Sequence, residues 1–232
     1  MSLSLWRVWS LVLVGALALS GCGGSADKEP AADAGTETTD ATGIKHVSVA
    51  KLPPLGDPLP PNLDQGRVSN LAPPKGWQPL PRDNAHVARF ALNKSNPNDL
   101  PRILVTVTDA TDFTDDVTAE NVAEFAESVA AELDEKKLLE TSKPLVIGDN
   151  AYARYVGKAN KASRLVARQV LETVFDGRRY TITLETFDTN LLKHRDLAYA
   201  VAAAIRFTRP GEAPAPAAAE TPAEPAEEAK SE

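Results

Sequence analysis

The chain has 232 residues, 25 Lys and Arg against 32 Asp and Glu for a net charge of −7, one cysteine, and 43% hydrophobic residues. A net negative chain lacks the cationic excess that a phosphate backbone demands, which argues against a nucleic-acid partner. A single cysteine excludes a disulfide framework and a thiolate metal site, so the core must hold by packing.

The first seven residues carry one charge, Arg7, and Val8 to Leu19 then run almost without polarity (V-W-S-L-V-L-V-G-A-L-A-L). A bilayer-spanning helix needs about 20 apolar residues, so this shorter run reads as an export signal over residues 1–21. It closes on Leu19-Ser20-Gly21-Cys22. That tetrad resembles the bacterial lipobox, in which cysteine follows a leucine and two small residues. The resemblance implies a diacylglycerol on the Cys22 thiol, loss of residues 1–21, acylation of the new amino group by palmitate or a similar chain, and anchoring in the cell envelope. The membrane is then the first expected partner. Gly23, where an aspartate commonly signals inner-membrane retention, implies the outer membrane in a cell that has two. The alternative is an incidental or buried cysteine, although a lone thiol is a liability in an oxidising compartment.

Residues 22–65 mix small polar residues with a proline-studded stretch, L-P-P-L-G-D-P-L-P-P-N-L-D, and show neither a helical nor a strand period. Such a segment buries too little apolar surface to offset ordering costs of about 1–2 kcal/mol per residue, and is expected to be a disordered tether. About 45 flexible residues would span about 35–40 Å and hold the domain clear of the bilayer. Residues 210–232, rich in alanine, proline and glutamate, are expected to form a second disordered segment. Acidity belongs to these tails. Residues 22–65 hold 3 basic and 7 acidic residues, residues 210–232 hold 1 and 6, and the intervening 66–209 hold 20 and 19.

Residues 66–209 suit one domain with one core. Arg102 to Asp109 alternates, with Ile103, Val105 and Val107 on one face, and reads as a strand with His86 to Leu92 as an antiparallel neighbour. A helix is expected over Val117 to Leu138, because Val122, Phe125, Ala126, Val129, Ala130 and Leu133 form one stripe. Three strands follow: Ala151–Gly157, Leu165–Phe175 and Arg178–Phe187. Asp176-Gly177 between the last two suits a type I′ hairpin, which needs positive φ at both positions and sets the register. A second helix runs from Thr189 or Asn190 toward Arg206 with Leu197, Val201 and Ile205 one turn apart. The fold class expected is α+β, a mostly antiparallel sheet of five to six strands covered by two main helices.

At this point the domain resembles the PsbP-like, or Mog-type, α/β/α sandwich. The matching features are Pro74-Lys75-Gly76-Trp77, Asn121-Val122-Ala123-Glu124-Phe125, the stretch Tyr180-Thr181-Ile182-Thr183-Leu184 and the closing Ile205-Arg206-Phe207. The pattern spans nearly all of 66–209 and contains no catalytic signature.

His46, His86 and His194 lack metal-ligand spacing, and no cofactor motif such as a P-loop or G-x-G-x-x-G occurs. No metal, cofactor or enzymatic activity is expected. The acidic run Asp109, Asp112, Asp115 and Asp116 lacks the glycine and distal glutamate of an EF-hand loop, leaving helix-start capping or a loose Ca²⁺ site. Trp77 reads as an anchor at the edge of the core. Arg154, Lys158, Lys161, Arg164, Arg168, Arg178 and Arg179 gather on the second half of the sheet, with Arg164 and Arg168 on one side of their strand. Arg164, Arg168, Arg154 and Lys158 form the candidate interaction face for anionic lipid, polymer or an envelope protein partner. Pairing of such residues with Glu172 and Glu185 across strands is the simpler alternative. The function expected is that of a membrane-anchored, non-enzymatic binding or assembly module; the second reading is a ligand or ion module using loop 109–116 or the basic sheet.

Overall fold

The computed structural model describes residues 37–211, apart from 62, 82, 94, 95, 97, 162 and 163, and all of these belong to one compact unit, Ala34–Glu232. The signal segment, Cys22 and the chain beyond Gly211 lie outside the described residues. In chain order the elements are β1 (Glu37–Thr39), β2 (Lys45–Val47), β3 (Val68–Ser69), β4 (Gln78–Pro79), β5 (Ala88–Ala91), β6 (Arg102–Asp109) and α1 (Val122–Glu132). Then follow β7 (Leu138–Ile147), β8 (Asn150–Lys161), β9 (Arg164–Phe175), β10 (Arg178–Phe187), α2 (Leu191–Ala204) and β11 (Arg206–Phe207).

The described residues form an α+β domain with a nine-stranded mixed sheet ordered β1-β2-β7-β8-β9-β10-β6-β5-β4, and a two-stranded β11-β3 ribbon. This is larger than the five to six strands expected, and β2 pairs parallel with β7. The β9–β10 hairpin turns as expected, with Asp176 at φ 50° and Gly177 at φ 68°. That turn sets Arg178 opposite Phe175 and carries the register up to Phe187 opposite Val166.

Alternation along the strands sorts two packing faces. On one, Ile103, Val105, Tyr152, Leu171, Ile182 and Leu184 pack against Ala198, Tyr199, Val201 and Ala202 of α2. Alanines there let the helix approach the sheet closely. On the other, Phe125, Ala126 and Val129 of α1 cover Ala153 and Val174. Trp77 is buried at the edge of the larger cluster, as expected. The helix stripe expected over Val117–Leu138 is shorter, because the backbone extends at Leu133 and Leu138–Ile147 becomes β7. This strand escapes a simple alternation test. It contains Pro144 and two register shifts against β8, and β2 begins pairing only at Leu145, one residue past the proline that lacks a donor.

The tether expected over residues 22–65 is corrected over its second half. Val47 and Leu63 are buried in the main core, and Leu52, Leu55 and Leu59 pack against it. The proline-rich stretch lies as a strap along residues 71–75, where the Gly56 N–H donates to Pro73 O (2.8 Å), Leu59 N–H to Leu71 O (2.8 Å) and Lys75 N–H to Pro54 O (3.0 Å). Prolines suit such a strap, since they leave no donor unpaired in an extended chain. The folded unit therefore starts no later than Glu37, not at 66.

Strand directions define two poles. Glu37, Asn150, Phe175, Arg178 and Asp109 sit at one, and Gly157, Arg168, Phe187 and Arg102 toward the other. Phe207 stacks on Phe175 at 5.4 Å between ring centroids, so both ends of the described chain emerge at the first pole.

Candidate contact site on the open sheet face

Because α1 lies over β7 and β8, no helix among the described residues covers the same side of β9, β10 and β6 toward the second pole. Even-numbered residues of β9 face this side. Arg164 and Arg168 share it, as the alternation predicts, and Glu185 stands directly opposite both Arg168 and Arg102. Glu185 is 6% exposed. Its Oε2 accepts from Arg102 Nε at 2.6 Å, and its Oε1 lies 2.8 Å from Arg168 Nε. Arg102 also donates from Nη1 to Asn98 Oδ1 (3.3 Å). Cross-strand pairing with Glu185 is thus realised, and one buried carboxylate spaces two guanidinium groups across three strands.

The Arg164 guanidinium stacks on the Phe187 ring, 3.6 Å from its centroid. A cavity of about 420 Å³ opens beside the arginine pair, lined also by Asn98, Leu100, Ala159, Asn160 and Val166. A second, of about 360 Å³, shares Leu100 with it and is walled by Leu92, Pro101 and Phe187 together with Asn93 and Asp99.

The expected interaction face is corrected at its other two members. Arg154 and Lys158 lie on the α2 side of β8, opposite Arg164 and Arg168, because Lys158 pairs with Ala167 and Arg154 with Leu171. Arg154 is 4% exposed and ion-paired with Glu140. Lys158 is exposed at the strand end. Arg178 and Arg179 belong to the first pole: Arg178 pairs with Asp109 and Asp64, and Arg179 holds Glu132 through two hydrogen bonds of 2.9 and 3.0 Å. Lys161 ends β8, next to residues outside the described set.

Asp109, Asp112 and Asp116 of the acidic loop each take a protein partner. Asp109 pairs with Arg178 and Asp116 with Arg209, while Asp116 Oδ1 accepts from the Asp176 N–H (2.7 Å) and so braces the hairpin. Thr118 supplies the turn before α1, its Oγ1 accepting from Glu120 N–H (3.3 Å). Asp112 accepts from Thr111 Oγ1 at 2.9 Å. The histidines are dispersed. His46 contacts Asp40, His86 contacts Asp83, and His194 contacts Thr186 at 3.0 Å with its pKa lowered by burial and the Lys193 charge.

Two groups were not singled out in the sequence. Arg102 carries half of the Glu185 pair, visible only once β6 is registered on β10. The other is a polar cluster under β1: Glu37 contacts Lys45 (2.9 Å), Arg195 (3.3 Å) and Tyr199 OH (3.1 Å). Burial raises the Glu37 pKa less than these cations and hydrogen bonds lower it, so the net shift is downward.

No family model matches the chain, and no curated protein matches it in sequence. Solved structures similar to it include a Bacteroides thetaiotaomicron protein, 12% identical with a TM-score of 0.47 over 68% of this chain and 51% of that one. The chain thus spans about half the length of that protein. A second is LpqN of Mycobacterium tuberculosis, described as involved in cell envelope biogenesis, 19% identical with a TM-score of 0.43 over 66% of this chain and 90% of that one. A third is the cyanobacterial PsbP, CyanoP, of Synechocystis, 15% identical with a TM-score of 0.35 over 61% of this chain and 87% of that one. The family resemblance itself rests on the sequence motifs given above.

Proposed function

We propose that the protein is a lipid-anchored lipoprotein of the cell envelope whose α+β domain works by contact, as a binding or assembly module, and not by catalysis. The observation that carries this reading is the open sheet face at the second pole, where Arg168 and Arg102 stand in register around one buried glutamate and Arg164 stacks on Phe187 on the same side. An anchor at Cys22 would leave residues 23–36 before β1, and fourteen residues reach at most about 50 Å. The pole nearest that anchor carries both ends of the described residues, so the arginine face is the one presented outward. Its partner is a component of the envelope, membrane or protein, and the outer membrane is the favoured site in a two-membrane cell.

Recovery of partners from solubilised membranes tests the reading. Arg164→Glu with Arg168→Glu should lower recovery about tenfold while leaving the melting transition cooperative, as expected when charges at a contact are reversed. Equal recovery removes this face from consideration, and turnover of a substrate by the purified protein overturns the contact reading.

A further inference from the structure

The arginine pair is arranged as a receptor for an anion that carries an apolar chain. Glu185 engages Arg102 and Arg168 through their Nε atoms. Arg102 Nη1 reaches Asn98. Among the described residues, the terminal nitrogens of Arg168 and the second one of Arg102 have no protein partner. Two guanidinium groups against one carboxylate leave the site with one net positive charge, and the buried Glu185, held in the strand ladder, keeps both forks in place before any ligand arrives. The amides Asn98 and Asn160 also line this end of the cavity. Past Leu100 its walls are the apolar Leu92, Pro101 and Phe187, with Asn93 and Asp99 as the polar part of the lining. A guanidinium pair opening on a chamber with one apolar wall, Leu92, Leu100, Pro101 and Phe187, is the form of a site for an amphiphile, and volumes of about 420 and 360 Å³ fall in the range of small-molecule pockets.

We infer that this double cavity binds an amphiphile with an anionic head, a phosphate or carboxylate, seated between Arg102 and Arg168, and an aliphatic chain running past Leu100 toward Phe187. The head takes the free guanidinium donors, and the chain covers apolar wall that is otherwise open to water. The inference rests on the proposed contact function only in placing it on the same face.

The test uses the full chain in phosphatidylcholine nanodiscs, titrated with hexyl phosphate, hexyl glucoside and inorganic phosphate by calorimetry. Hexyl phosphate should bind at least about tenfold tighter than either of the others, since each lacks one half of the recognition. Arg168→Gln, at a half-exposed side chain, should weaken hexyl phosphate about tenfold, and Leu100→Glu should do the same with both arginines intact. Equal affinity for inorganic phosphate overturns the apolar half; equal affinity for hexyl glucoside overturns the anionic half. Unchanged binding by both variants places any ligand elsewhere and overturns the site. Competition by phosphatidylglycerol vesicles, but not by phosphatidylcholine vesicles, assigns the head to a bilayer lipid, and lack of competition assigns it to a free amphiphile. If hexyl phosphate does not bind while Arg164→Glu with Arg168→Glu still abolishes partner recovery, the ligand inference fails and the contact function stands.

Discussion

The Tyr199 hydroxyl donates to Glu37 Oε1 at 3.1 Å across 162 positions of the chain. Tyr199 is wholly buried in α2 and Glu37 opens β1 at the sheet edge, so this bond joins the first described strand to the helix that covers the main core. Arg195, one turn earlier on the helix, adds an ion pair at 3.3 Å. The described residues before 66, from Glu37 on, are therefore part of the domain.

Limited proteolysis of the protein should leave a stable fragment that begins near residue 37. A chain cut back to residue 66 loses the burial of Val47 and the Leu63 contact with the core, about 1.5–3 kcal/mol for each side chain. It should melt without a cooperative transition. A stable fragment beginning at 66 would show that strands β1 and β2 and the proline strap are dispensable.

Gly177→Val should destabilise the domain by more than about 1 kcal/mol, because a β-branched residue is strained at φ 68°. No side chain crowds this glycine, so the loss is purely conformational. An unchanged melting temperature by calorimetry counts against it.

Asn150 closes α2 from a neighbouring strand: its Nδ2 donates to the carbonyls of Ala202 and Ile205, each at 3.0 Å. Tyr152 OH donates to the same Ala202 carbonyl at 2.9 Å. Asn150→Ala should cost about 1–3 kcal/mol in chemical denaturation, since it strips partners from the last carbonyls of the helix. A cost below about 0.5 kcal/mol would mean that water replaces the amide there.

Glu172 sits 8% exposed, accepting from Tyr155 OH at 2.8 Å, with Arg179 3.6 Å away. Burial raises its pKa above the ordinary 4.5, more than the tyrosine hydrogen bond and the arginine lower it. The folded state then holds a proton that the unfolded state has released, so this residue makes stability fall as pH rises from 4.5 through the raised value. Glu172→Gln keeps an acceptor for Tyr155 and should flatten stability against pH in that window. Parallel curves for the two proteins would refute it.

Labelled palmitate should enter the wild-type protein and not Cys22→Ser. Acyl chains hold a protein on a bilayer at about 0.8 kcal/mol per buried CH₂, so the variant should also leave the membrane fraction. Equal labelling of both would end the lipoprotein reading.

Much of the sheet was legible because its signals are local. The alternation of Arg102–Asp109 states which side each residue faces, and Asp176-Gly177 states the turn. From that turn alone, counting outward sets Arg168 opposite Glu185. The same counting places Arg164 with Arg168. By contrast, the grouping of Arg154 and Lys158 with them relied on nearness in sequence, and parity across the β8–β9 register puts those two on the other face.

What the sequence by itself determined is what depends on neighbours along the chain: the short apolar run with its terminal cysteine, the strand periods, the hairpin and the apolar stripes of both helices. Only the tertiary structure decided the placement of β1, β2, β7 and the proline strap, because three-residue strands, a bulged strand with a proline, and an extended Leu-Pro segment carry no period of their own. Their apolar residues find partners in distant strands, and the strap's Gly56 and Leu59 N–H groups find the carbonyls of Pro73 and Leu71. The site follows the same division. Arg168 and Glu185 meet through a local turn, whereas Arg102 and the second cavity arrive only when β6 docks on β10, a pairing set by burial of Ile103 and Val105 and not by any adjacent residue.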